Sequence, residues 1–307
     1  MTILVVGSVA YDDLETPFGK RERVLGGAAT HFSASASFFS PVQLVGVVGG
    51  DFNENEIKFL ADRQVDLSGL QVVKEGKTFH WKGKYNYDLN EAKTLATDLN
   101  VFASFKPQLP SHFRKASTVF LANIDPDLQL NVLEQTEAPK MVAMDTMNFW
   151  ISGKLNALKK IIAKVDILLI NEGEARQLAG EYNLVKAAKL IQSWGPKVLV
   201  IKRGEYGALL FGDSFVFSAP GFPLEVLKDP TGAGDSFAGG FIGLLAKNGH
   251  ELTEKNLKRA VICGSAMASF QVEDFGLDRM RKLTLAEIQE RMQAFKNLSH
   301  FEELEIL

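Results

Sequence analysis

The stretch VDILLINEGEARQLAGEYNLVKAAKLIQSWGPKVLVIK, residues 165–202, sets two short apolar runs (165–171 and 197–202) around a longer mixed segment. Each run is continuous rather than alternating, as expected of a strand buried on both faces of a parallel sheet. Between them, 172–180 and 184–194 are amphipathic and long enough to be crossover helices. Strand, helix and strand in this order make a βαβ unit. The same kind of run recurs at ILVVGSV (3–9), VQLVGVV (42–48), TVFLANI (118–124) and KMVAMD (140–145), with a further amphipathic segment at 153–164. The sequence therefore predicts an α/β fold, a doubly wound, mostly parallel sheet flanked by helices. No repeat, low-complexity tract or linker divides the chain, so one domain is expected over 1–307.

With 46% apolar and 23% charged residues, the chain can bury a large core. Its net charge of -3, spread without long runs, gives no electrostatic reason to expect a nucleic-acid or anionic membrane partner. A single cysteine, Cys263, rules out an intrachain disulfide and a thiolate metal cluster, and suits the reducing cytoplasm. The opening MTILVVGSVAYDD has no basic segment before its apolar run, and no run approaches the ~18 residues of a membrane span. Neither a leader nor an anchor is expected.

Two features depart from the βαβ pattern. In FHWKGKYNY (79–87) the aromatics Phe79, Trp81, Tyr85 and Tyr87 alternate with His80, Lys82, Lys84 and Asn86, the period-two signature of an antiparallel hairpin covered on one side. Segments 13–25 and 70–101 are expected to form a small sheet projecting from the main one. Polar residues also collect where the buried runs stop: Gly7, Ser8 and Asp12; Asn123 and Asp125; Asp145; Asn171, Glu172 and Glu174; Lys202, Arg203 and Glu205. Ligands of open parallel sheets bind beyond the carboxyl ends of the strands, so these residues point to one crevice.

The chemistry concentrates in DPTGAGDSFAGGF, residues 229–241. Gly232, Ala233 and Gly234 carry little or no side chain, so their amides can approach an anion at the start of the helix that follows, near Asp235. Asp235 itself has two readings. Asp is a favoured N-cap, but a cap needs no open backbone beside it. A carboxylate next to an anion hole is placed to take the proton from a hydroxyl attacking a phosphoryl group. Other signatures fail: there is no Walker GK[ST], Phe237 stands where a dinucleotide fingerprint needs its third glycine, GxSxG and HExxH are absent, and the five histidines are scattered.

DPTGAGDSF resembles the second signature of the ribokinase, or PfkB, family of carbohydrate and nucleoside kinases, and the resemblance runs along nearly the whole chain. It implies that Asp235 is the catalytic base, that Gly232, Ala233 and Gly234 form the anion hole, and that Asp229 and the Thr231 carbonyl stand where many members hold a monovalent cation such as K⁺. GSVAYD implies that Asp12 binds substrate hydroxyls, and LGGAATHF resembles the diglycine hinge, here Gly26 and Gly27. NEGE implies that Asn171 and Glu174 organise Mg²⁺ near the phosphates of ATP, and KRGEYG places Lys202, Gly204 and Gly207 beside the nucleotide. Segments 13–25 and 70–101 correspond to the family's β-lid, through which a homodimer is expected. Two positions depart from the family: His31 stands where asparagine is usual, as a substrate contact or a helix-packing residue, and Lys202-Arg203 replaces the usual threonine or serine. The implied activity is ATP- and Mg²⁺-dependent phosphorylation of an alcohol on a small polyhydroxylated substrate, with a sugar first, a nucleoside second and a phosphosugar third. The rival from another class is a catalytically silent ligand sensor.

Overall fold

The computed structural model describes residues 1–300; of the single domain expected over 1–307, residues 301–307 lie outside the described residues. The strands are β1 (Ile3–Val6), β2 (Ala10–Thr16), β3 (Gly19–Gly26), β4 (Val42–Gly49), β5 (Val65–Val73), β6 (Phe79–Tyr85), β7 (Ala92–Asp98), β8 (Thr118–Leu121), β9 (Met141–Asp145), β10 (Ile167–Asn171), β11 (Val198–Lys202), β12 (Ala208–Phe211) and β13 (Val216–Ala219). Nine form one sheet in the order β13-β12-β11-β10-β9-β8-β1-β4-β5. All pairings from β11 to β5 are parallel, and only the β11–β12 and β12–β13 pairings at the edge are antiparallel.

The continuous apolar runs follow from burial on both faces. Strands β1, β4, β8 and β9 are buried at every residue. Along β1, Ile3 and Val5 enter one core with Phe32, Phe120 and Phe241, while Leu4 and Val6 enter the other with Phe113, Leu121 and Ile161. Each such side chain taken from water contributes about 1.5–3 kcal/mol, so the sheet is the rigid part of the molecule.

Four strands form the second sheet, in the order β3-β2-β6-β7. The expected hairpin is borne out over Phe79–Tyr85 as the antiparallel β6–β7 pair, while Tyr87 lies beyond the strand and is exposed; β2 and β6 run parallel. The expected lid bounds shift. Residues 70–73 continue β5, held by its ladder with β4, and the lid proper consists of Ala10–Gly26 and Phe79–Asp98.

Candidate active site

The helix expected to begin near Asp235 spans Ala233–Lys247, with Gly232 as its N-cap and no side-chain capping bond. Asp235 therefore lies inside the first turn and is not the cap. Its carboxylate accepts no hydrogen bond from the described residues. Among the loop amides, Ala233 N–H closes a turn onto the Pro230 carbonyl at 3.2 Å, so the free donors are those of Gly232, Gly234 and Asp235 rather than the three expected. Gly232 adopts φ 73°, and a Cβ there would stand 2.4 Å from the His31 ring. Only glycine meets both conditions.

His31 is 1% exposed and packs behind that loop, closed off from any acceptor. Its ring nitrogens have no partner among the described residues, and burial lowers its pKa to about 4, with the Gln271 side chain the smaller, opposing influence. The ring is neutral and supports the loop, which corrects its reading as a substrate contact.

The strand-end residues do converge. Asn123, Asp145, Asn171, Glu174 and Lys202, from the ends of β8, β9, β10 and β11, line one cavity of about 810 Å³ together with Ala233, Gly234 and Asp235. Lys202 Nζ donates to Asp145 Oδ2 at 2.6 Å and stands 3.0 Å from the point where a side chain on Gly234 would begin. Burial alone would lower the Lys202 pKa, but Asp145 and Glu174 more than offset it, and the ammonium stays charged beside the Gly232–Gly234 loop. Around this one cation, burial followed by the Asp145 charge raises Glu174 and Asp235 each to about 7. Asn171 and Glu174 also form a reciprocal capping box on the helix Glu172–Ala179, which fixes their orientation at the rim.

Other strand-end residues stay outside. Ser8 Oγ accepts from Ala28 N–H and holds the turn at Gly27. Asp125 caps the helix Pro126–Glu134 and pairs with Lys154. Arg203 pairs with Glu172.

The far wall of the cavity is apolar, formed by Phe222, Pro223, Leu224, Leu227, Ala268 and Val272. Sequence reasoning missed this wall, although the Gly221-Phe222-Pro223 turn signal marks its start. The lid tip, Tyr87 to Asn90, closes the same cavity, and Asn90 Oδ1 lies 2.0 Å from where a Cβ on Gly204 would stand. Gly207, at φ 83°, lets the backbone pass Ala219 and Pro220.

On the four-stranded sheet Asp12 is buried, and burial, then the charges of Asp229 and Asp235, hold its carboxyl well above the usual carboxylate range. Gly26 makes room for it, since a Cβ there would lie 2.0 Å from Asp12 Oδ2. Trp81 pairs with Asp12 in register, so both project from the same face of the lid, and the indole lies over Gly83. Tyr85, also missed from sequence, accepts a hydrogen bond from Thr231 Oγ1 at 3.1 Å and ties the lid to the loop.

No group of three or more His, Cys, Asp or Glu side chains among the described residues is arranged to hold a metal alone. The oxygen-rich, over-negative cluster of Asp145, Glu174 and Asp235 nevertheless fits Mg²⁺, which keeps water and takes substrate phosphates with one or two carboxylates.

A fold with this loop, crevice and lid defines a phosphoryl-transfer enzyme. The family described as pfkB family carbohydrate kinase matches residues 3–282, and the chain belongs to it; it is a phosphotransferase with an alcohol acceptor. The cytidine kinase of Thermococcus kodakarensis is 32% identical over 248 residues, 79% of this chain and 87% of that protein. The fold is similar to that of Burkholderia thailandensis nucleoside kinase in complex with ADP-inosine (TM-score 0.78, 17% identity, 96% of each chain). It is also similar to that of an Escherichia coli ribokinase II structure in complex with ATP and Mg²⁺ (TM-score 0.73, 19% identity, 95% of this chain and 99% of that one). No described helix is long and apolar enough to cross a membrane.

Proposed function

We propose that this chain phosphorylates a nucleoside with ATP, in place of the sugar placed first on sequence grounds. The observation that carries the reading is the acceptor face of the lid, where a buried carboxylate, Asp12, and an aromatic plane, Trp81, stand side by side opposite the anion-hole loop. A nucleoside offers both partners at once: ribose hydroxyls for Asp12 and a flat base for Trp81. The similarity to a cytidine kinase supports the same choice.

In this reading the acceptor hydroxymethyl oxygen attacks the γ-phosphorus while Asp235 takes its proton. The bond from phosphorus to the β,γ-bridging oxygen breaks, and ADP leaves with the electron pair. A base whose pKa is about 7 is matched to neutral pH. The free amides of Gly232, Gly234 and Asp235 and the Lys202 ammonium meet the charge on the moving phosphoryl group. Asn171, Glu174 and Asp145 would hold Mg²⁺, which would supply charge neutralisation at the phosphates. The apolar wall from Phe222 to Leu227 takes the adenine. A cytoplasmic setting belongs to the same reading, as does a homodimer through the lid, whose edge strand β7 is exposed at every residue.

Turnover with saturating ATP and Mg²⁺ on cytidine, inosine, adenosine, ribose, fructose and fructose 6-phosphate tests the proposal. A nucleoside should exceed every sugar in kcat/KM by about 100-fold, the discrimination that a site built around polar substrate groups reaches easily. A sugar as the best acceptor overturns it.

A further inference from the structure

Gln271 ends the helix Glu254–Gln271 and is fully buried, where an uncharged amide is costly unless all its polar atoms are matched. They are matched. Its Nε2 donates to the Thr231 carbonyl at 3.1 Å and to the Gly276 carbonyl, and its Oε1 accepts from Ser236 Oγ at 3.3 Å. Carbonyls can only accept, so this orientation of the carboxamide is the one the surroundings allow.

The neighbouring acid is equally engaged. Asp229 Oδ1 accepts from Thr231 N–H and Oδ2 from Gly276 N–H, each at 2.9 Å. Asp229 and Thr231 are the residues that the family resemblance assigns to a monovalent cation. In this chain they do not fit one. A cation between the Thr231 and Gly276 carbonyls would meet the positive end of the Gln271 amide dipole, and Asp229 has an amide hydrogen on each oxygen.

We propose that the Gln271 carboxamide stands in for the monovalent cation, and that catalysis by this enzyme does not depend on K⁺. The physical link to the reaction is one peptide group. The Thr231 carbonyl and the Gly232 N–H belong to the same trans peptide plane and point in opposite directions. Holding the carbonyl on Gln271 turns the Gly232 N–H toward the phosphoryl site, and polarising one end of an amide strengthens donation at the other. Gln271 is thus a positioning residue for the anion hole, acting from behind it while His31 packs against the same glycine.

The inference concerns the loop and not the acceptor, so any alcohol that turns over serves to test it. Wild-type kcat measured in choline, sodium and potassium chloride at one ionic strength should agree within about two-fold. Stimulation of ten-fold or more by K⁺ overturns the proposal without any variant. Gln271→Met keeps the volume but removes the donors, and should lower kcat by roughly 10- to 100-fold with little change in either KM, the loss expected when one oxyanion donor is misplaced. Gln271→Glu turns an acceptor toward the two carbonyls, and its activity should rise ten-fold or more with added K⁺ while wild type stays level. A well-folded Gln271→Met enzyme with full kcat, or a Gln271→Glu enzyme indifferent to K⁺, refutes the role. If both variants unfold, the wild-type salt series decides alone.

Discussion

The two sheets meet at the active site but are held together differently. In the nine-stranded sheet the central strands are buried on both faces, and Asp145, Asn171 and Lys202 stand at the carboxyl ends of three of them. In the four-stranded sheet β7 is exposed throughout, half of β3 is exposed, and the strands are laced by surface pairs such as Glu15 with Lys20 and Lys84. Exposed pairs add little stability, and burial adds much. The proposed chemistry therefore rests beside the more deeply buried sheet, and the proposed acceptor recognition on the less buried one.

The largest effect should come from the rigid side. Asp235→Asn removes the proposed base and should lower kcat by about 10²- to 10⁴-fold with nucleotide affinity little changed. The same change should raise Tm. A carboxyl whose folded pKa is raised to about 7 contributes stability that is fully present below its unfolded pKa near 4 and is lost as pH rises through 7. The variant carries no such loss, so its Tm should exceed that of wild type at pH 8 and the difference should shrink toward pH 4. A lowered Tm at pH 8 would return Asp235 to a structural role. In step with this, wild-type kcat/KM should climb about ten-fold per pH unit below 7 and level off above it. A profile flat from pH 5 to 8 would mean that another group takes the proton.

Next in size is the movable side. Asp12→Ala should cost the acceptor roughly 10- to 10³-fold in kcat/KM, the value of one or two hydrogen bonds to a carboxyl, while the KM for ATP stays within a few-fold. Because Asp12 is held above the usual carboxylate range by burial, then by Asp229 and Asp235, its removal also relieves crowded charge, and Tm should not fall. Joint weakening of both substrates with a loss of Tm would mark Asp12 as a turn residue.

The parts that could be read from sequence are those with a local cause. Burial on both faces forces the continuous runs at 3–9, 118–124 and 165–171. The partly covered face of β6 accompanies the alternation at 79–85, and the open loop at Gly232 demands a residue without a side chain. The Gln271 bond to Thr231, the Tyr85 bond to Thr231 and the Lys202–Asp145 pair join positions 40, 146 and 57 residues apart, and no spacing rule connects them. His31 was half legible for the same reason: a helix-period position says that a side chain is buried, but not that it lies beneath Gly232.

The smallest expected effect tests the hydrogen bond that ties β6 of the four-stranded sheet to the loop before the helix Ala233–Lys247. Tyr85 is 8% exposed at the end of β6, and its hydroxyl meets Thr231 Oγ1 while its ring stays within the lid. Tyr85→Phe keeps the ring and removes one neutral hydrogen bond, worth about 0.5–1.5 kcal/mol, so kcat/KM for the acceptor should fall roughly two- to ten-fold. Trp81 gives an independent readout from the same strand. With Trp150 and Trp194 replaced by Phe, its emission should shift to shorter wavelength as acceptor saturates and the lid settles over it. In the Tyr85→Phe background the same shift should require more acceptor, with its end point unchanged, because the bond biases closure and does not create the closed state. Emission indifferent to saturating acceptor in both proteins would make the four-stranded sheet as fixed as the nine-stranded one, and the division of labour between them would fail.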